Sequence, residues 1–175
     1  GEVLGNRDDI FEILKYTQSL GILYRLNTNS WWANKTNLEI GHQYFKSAKQ
    51  LVEYVKSLGI LMFAFSCDAR LRSTRNWENL VASIKLCEQL NVKYQLIFTG
   101  VENYDIRKTI LLLNETCGSL RNMIPVSMEM VDIGGGAELE VANRSLCNQS
   151  NKAYCNKKGF YRPQTLHISP DGKVR

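Results

Sequence analysis

Residues 60–65, ILMFAF, form a run with no charge and no polar group, and they follow directly on the pair Leu58-Gly59. A run this apolar has no solvated face. It reads as a strand covered on both sides, the situation of a strand in a parallel sheet. Parallel strands all point their carboxyl ends the same way, so the polar residues just past such a strand line the ligand crevice of an α/β fold. Here those residues are Ser66, Cys67 and Asp68, which makes Ser66 and Asp68 candidate ligand contacts. The plainer role for Asp68 is to cap the turn that follows.

The same grammar recurs along the chain. Residues 8–20 have the pattern of an amphipathic helix, with Asp9 and Glu12 at capping-box spacing and Ile10, Ile13, Leu14 and Thr17 sharing a face. Gly21 then supplies the left-handed residue that ends a helix, and a strand is expected over 22–26, followed by Asn27-Thr28-Asn29-Ser30. A second helix is expected over 38–58, with Tyr44, Phe45, Ala48, Leu51, Val52 and Val55 at helical spacing. It closes in Ser57-Leu58-Gly59-Ile60-Leu61, nearly a copy of residues 19–23.

A third helix, 76–90, buries Trp77, Leu80, Val81, Ile84 and Cys87, and ends with Asn91 in the glycine's place. Strand 92–98, helix 105–117 closed by Gly118, and strand 124–130 complete the series, leading into Gly134-Gly135-Gly136-Ala137. Helix, Leu-Gly-Ile, strand, polar end: the period predicts parallel strands joined by right-handed helical crossovers. After residue 137 the texture turns polar and Asn-rich. The alternating segment 165–169 and the turn Pro170-Asp171-Gly172-Lys173 then predict a hairpin in a separate appendix. Two domains are therefore expected, 1–137 and 138–175.

Composition narrows the partners. The net charge of +5, from 22 Lys and Arg against 17 Asp and Glu, is scattered, and no basic stripe with interleaved aromatics points to nucleic acid. The apolar runs are strand-length, so no membrane span is expected, and a cytoplasmic setting follows. Five cysteines at irregular spacing do not form a disulfide framework. Asn34, Asn114, Asn143 and Asn148 head glycosylation sequons, which matter only in a secreted protein. Cys87 reads as a core residue, and Cys67 and Cys117 as structural. Cys147 and Cys155 lie in the polar segment, where packing does not explain them.

Taken together these motifs resemble a known family. Gly1-Glu2 followed by a helix and a strand ending in Thr28-Asn29 resembles the stretch of a radical S-adenosylmethionine (SAM) enzyme that starts at its Gly-Gly-Glu-Pro motif. Ser66-Cys67-Asp68-Ala69 resembles the Ser-x-Asp end of that family's fourth barrel strand, and residues 125–129 with 134–137 resemble the sixth strand and the loop leaving the barrel. Cys155 followed by LHISPDGKV (166–174) resembles the opening of a SPASM-type extension that carries auxiliary iron–sulfur clusters.

The resemblance implies an α/β fold: a partial parallel (β/α) barrel, about four of six βα units, followed by a short hairpin-containing appendix. It implies that SAM is cleaved reductively at a four-iron–four-sulfur cluster to abstract a hydrogen atom from a substrate, a peptide or a small molecule. A flavodoxin or ferredoxin would serve as reductant. Gly1 and Glu2 would meet the methionine ammonium of SAM, and Ser66 and Asp68 the ribose hydroxyls. One of Arg70, Arg72 or Arg75 would hold the methionine carboxylate, Cys155 and Cys147 would serve as metal ligands, and Trp31 and Trp32 would line a substrate pocket or pack as its rim.

The sequence also departs from the family. Val3 stands where proline is expected, and no C-x3-C-x2-C triplet for the main cluster occurs. The chain is therefore expected to be a piece of a longer enzyme, inactive alone, with no catalytic residue of its own. Two other readings remain open from the residues: an α/β-barrel enzyme using Gly134 to Gly136 for a phosphorylated small molecule, and a non-catalytic binding module using exposed aromatics.

Overall fold

The computed structural model describes residues 2–5, 8–67, 75–99 and 103–128, all within one compact unit, Glu2–Met128. Ten elements follow one another: α1 (Ile10–Ser19), β1 (Tyr24–Thr28), β2 (Thr36–Ile40), β3 (Gln43–Ser47), α2 (Ala48–Ser57), β4 (Ile60–Ser66), α3 (Arg75–Leu90), β5 (Tyr94–Thr99), α4 (Asn103–Cys117) and β6 (Met123–Met128). The architecture is α/β. A four-stranded sheet has the order β1-β4-β5-β6 with every pair parallel, and β2 and β3 form a small antiparallel sheet of their own.

The helix ends are written in the sequence as expected. Gly21, Gly59, Asn91 and Gly118 all carry positive φ, between 51° and 84°, each just beyond a helix. At the first of them the Gly21 and Ile22 N–H groups donate to the carbonyls of Gln18 and Thr17, satisfying acceptors the helix leaves open. Each reversal leads within five residues into the next strand of the parallel sheet. No described helix is long and apolar enough to cross a membrane.

Three expectations are corrected. The helix expected over 38–58 is a β-hairpin in its first half and a helix only from Ala48. Gly41 and His42 take φ of 52° and 59°, the paired left-handed conformations of a two-residue hairpin turn, which no helix accommodates. Leu38, Ile40 and Phe45 are buried on one side of this hairpin, and Tyr44, assigned to the buried helical face, is 62% exposed. The Ser47 hydroxyl then accepts from the Gln50 N–H and starts α2. The face of α1 is also rotated: Ile10, Phe11 and Leu14 are buried while Ile13 is exposed. Asp9 stands at the cap position, but its side chain makes no capping hydrogen bond.

The core lies between the helices and one face of the sheet. On that face stand Leu26 and Thr28 of β1, Phe63 and Phe65 of β4, and Tyr94, Leu96 and Phe98 of β5, all buried. Phe63 and Phe65 stack at 5.7 Å, and Phe11, Phe45 and Tyr54 form a trio that seats α1, the hairpin and α2 together. Cys87 is buried in this core, as its helical position suggested. The opposite face carries Arg25 and Asn27 of β1, Met62, Ala64 and Ser66 of β4, Gln95 and Ile97 of β5, and Ile124 of β6.

Candidate functional site at the carboxyl ends of the strands

β1 and β4 end side by side. Thr28 pairs with Phe65, so Asn29 and Ser66 stand at the same level on the carboxyl edge of the sheet, both exposed. Glu2 reaches this edge from the start of the chain. One carboxylate oxygen accepts the Asn29 N–H at 2.7 Å and the other accepts the Leu4 N–H at 3.3 Å. The two bonds fix the plane of the carboxylate and leave each oxygen a further lone pair. An oriented carboxylate at a strand end can receive a cationic group, and an ammonium fits it in charge and donor geometry.

The chain turns sharply behind Glu2. Ser30 takes a φ of 65°, its N–H donates to the Thr28 hydroxyl, and the same hydroxyl accepts the Trp32 indole N–H at 3.0 Å. Trp32 is completely buried and packs on Phe63, so it is a core residue and lines no pocket. Its neighbour differs. Trp31 is half-buried, with the Lys35 ammonium 4.4 Å above its ring, and its indole nitrogen is buried without a hydrogen-bond partner. A Cβ on Gly5 would lie 3.3 Å from the Glu2 Cγ and 3.5 Å from that nitrogen, so Gly5 keeps the space between Glu2 and Trp31 open.

Of the residues singled out in the sequence, the structure brings Glu2 and Ser66 to one edge of the sheet. Arg75 opens α3. Gly1, Asp68, Arg70, Arg72, Cys147 and Cys155 lie outside the described residues, as do the glycine run 134–136 and the appendix from 138 onward.

The described thiols do not fit a cluster. Burial pushes the Cys87 thiol well above its ordinary range, with the Glu88 carboxylate adding to it. Burial likewise raises Cys117, against a lowering by Lys85. A thiol held protonated is a poor metal ligand. Among the described residues no three His, Cys, Asp or Glu side chains converge as a metal site.

Sequence reasoning missed two arrangements. At the amino ends of the strands, the Glu88 carboxylate accepts from the Tyr94 hydroxyl at 2.9 Å, the Asn122 N–H at 2.9 Å and the Ser119 hydroxyl at 3.2 Å. This carboxylate fastens α3, β5 and the entry to β6, and its burial and partners mark it as structural. On the sheet face opposite the helices, the Arg25 Nη1 donates to the Gln95 Oε1 at 2.8 Å, passing across β4. A cavity of about 260 Å³ lined by Leu23, Lys56, Ile60 and Lys93 among others also sits at the amino ends, away from Glu2 and Ser66. No protein-family model and no curated protein matches the chain.

Proposed function

We propose that this chain carries the SAM-binding half of a radical SAM (β/α) barrel and the start of a SPASM-type extension, within a longer cytoplasmic enzyme. One observation carries the reading: the Glu2 carboxylate is bonded to the Asn29 N–H, level with Ser66, at the carboxyl edge of a parallel sheet whose strands follow chain order. A doubly wound sheet reverses its strand order at a switch point, whereas a barrel arc does not. The order β1-β4-β5-β6 supports an arc.

On this reading Glu2 receives the methionine ammonium of SAM, in the orientation that the Asn29 and Leu4 N–H groups impose. Ser66 offers its hydroxyl to the ribose at the end of the adjacent strand, with Asp68 as the matching acceptor two residues on. Gly1 lets the chain approach the ammonium closely. Arg72 and Arg75 are the candidates for the methionine carboxylate. When bound, SAM together with a four-iron–four-sulfur cluster supplied with electrons by a flavodoxin- or ferredoxin-type donor would provide the means to remove a hydrogen atom from a peptide or small-molecule substrate. The described residues do not fit the main cluster. Its thiolates must come from a C-x3-C-x2-C triplet upstream in the parent reading frame, with Cys155 and Cys147 reserved for auxiliary clusters.

The test is spectroscopic. Parent protein purified without oxygen is expected to be brown, with iron and sulfide in cluster stoichiometry and the triplet encoded several tens of residues before Gly1. A colourless, iron-free parent lacking the triplet would reject the proposal in favour of the phosphate-site enzyme or the binding module.

A further inference from the structure

Among the described strand residues on the sheet face turned away from the helices, Arg25 is the one cation. Arg25 and Asn27 alternate with the buried Leu26 and Thr28, and both are exposed. Their neighbours on that face, Met62, Ala64, Ser66, Gln95, Ile97 and Ile124, are all uncharged. Among the described residues no carboxylate lies within ion-pair distance of the Arg25 guanidinium. Gln95 holds it instead, through the 2.8 Å bond between residues on strands that are not neighbours.

The strand between them is built to let that bond pass. Asn27 and Gln95 both pair with Ala64, the smallest side chain of the run ILMFAFS, and Ala64 is only 1% exposed beneath the bridge. A larger side chain there would lift the guanidinium off the sheet. The result is a fork tied at one nitrogen, flanked by two amides, over an apolar floor and with no counter-ion among the described residues. A planar guanidinium held this way is matched by the two oxygens of a carboxylate.

From this we infer a carboxylate-binding site on Arg25, Gln95 and Asn27, whose occupant is the carboxyl terminus of a short peptide. Gln95 lies two residues below Ser66 along the strands, about 7 Å from the carboxyl edge. A chain end reaches that depth by running one way down the sheet, whereas an internal acidic side chain would require the peptide to double back. That this carboxylate belongs to a substrate rests on the radical SAM reading; the site itself does not.

The experiment uses the full 175-residue chain, labelled with 15N at arginine, and follows the Arg25 Nε–H signal in a titration. The probes are N-acetyl-trialanine as the free acid, the same peptide as its C-terminal amide, N-acetyl-Ala-Glu-Ala amide, and inorganic phosphate. The free acid is expected to produce a saturable shift that the amide does not. Arg25→Lys is expected to weaken it at least about tenfold, through loss of the fork. Gln95→Ala, which keeps the charge, is expected to weaken it by less, with melting temperatures unchanged in both variants.

Equal response to acid and amide, or no response to either, would overturn the site. A response to the glutamate peptide alone would overturn the chain terminus as occupant, and tighter binding of phosphate than of the acid would overturn the carboxylate. Neither SAM nor a cluster is needed, so failure here strikes the anion site alone, while a parent without SAM chemistry strikes only the earlier reading.

Discussion

Glu2 does its work through two bonds, and a single atom change separates its roles. Glu2→Gln keeps the shape but presents an NH2 group to one of the two N–H donors, Asn29 or Leu4. The expected cost is about 1 kcal/mol or more of stability, read from denaturant unfolding, together with at least tenfold weaker SAM binding by the parent. A lower melting temperature with unchanged SAM affinity would make Glu2 a fastener of the β1 end and nothing more.

Tyr24 gives a second handle at this scale. Its hydroxyl is bonded to the Leu58 carbonyl, and burial pushes its pKa up to about 12 from an ordinary 10.0. The raised value favours the protonated phenol in the folded chain, so this contribution is complete below pH 10 and is lost as pH rises through about 12. Unfolding free energy is therefore expected to fall over that window, and Tyr24→Phe to flatten the fall. An equally steep decline in the variant would assign the alkaline loss to other groups, the deeply buried Tyr94 first among them.

At the scale of elements, what was legible in the sequence and what was not have separate physical causes. The words Leu20-Gly21-Ile22 and Leu58-Gly59-Ile60 gave away the helix ends because a left-handed residue is a strictly local requirement, and both glycines meet it. The uncharged run 60–65 gave away β4 for the same local reason. The hairpin β2–β3 was hidden because Phe45, Ala48, Val52 and Val55 extend a helical spacing backwards across a boundary that only Gly41-His42 marks. Within the site, Ser66 was visible as a strand end. The Arg25–Gln95 bridge joins residues seventy positions apart and left only oblique traces, the lone Ala64 and the polar alternation of β1.

Gly41 tests the hairpin directly. A Cβ there would lie 2.9 Å from the Ile10 side chain and 3.1 Å from the Asp8 carbonyl, at a φ of +52° that alanine resists. Gly41→Ala is expected to destabilise the fold by at least about 2 kcal/mol. A helix over 38–47 would instead gain stability from the same change, since alanine is the better helix former.

For the molecule as a whole, the sheet is organised to serve one edge. Its core faces the helices, its amino ends are tied by Glu88, and Glu2, Asn29 and Ser66 are left together at the carboxyl ends. The sheet face away from the helices carries the forked Arg25. An acidic group and a hydroxyl at the edge, with a cation deeper on the face, suit a zwitterionic cofactor above an anionic substrate. The most direct test is product analysis on the anaerobic, cluster-loaded parent, reduced with dithionite in the presence of SAM. The account predicts methionine and 5′-deoxyadenosine in equal amounts, strongly reduced by Asp68→Ala or Glu2→Gln. A cluster-loaded parent that leaves SAM intact under reduction would contradict it.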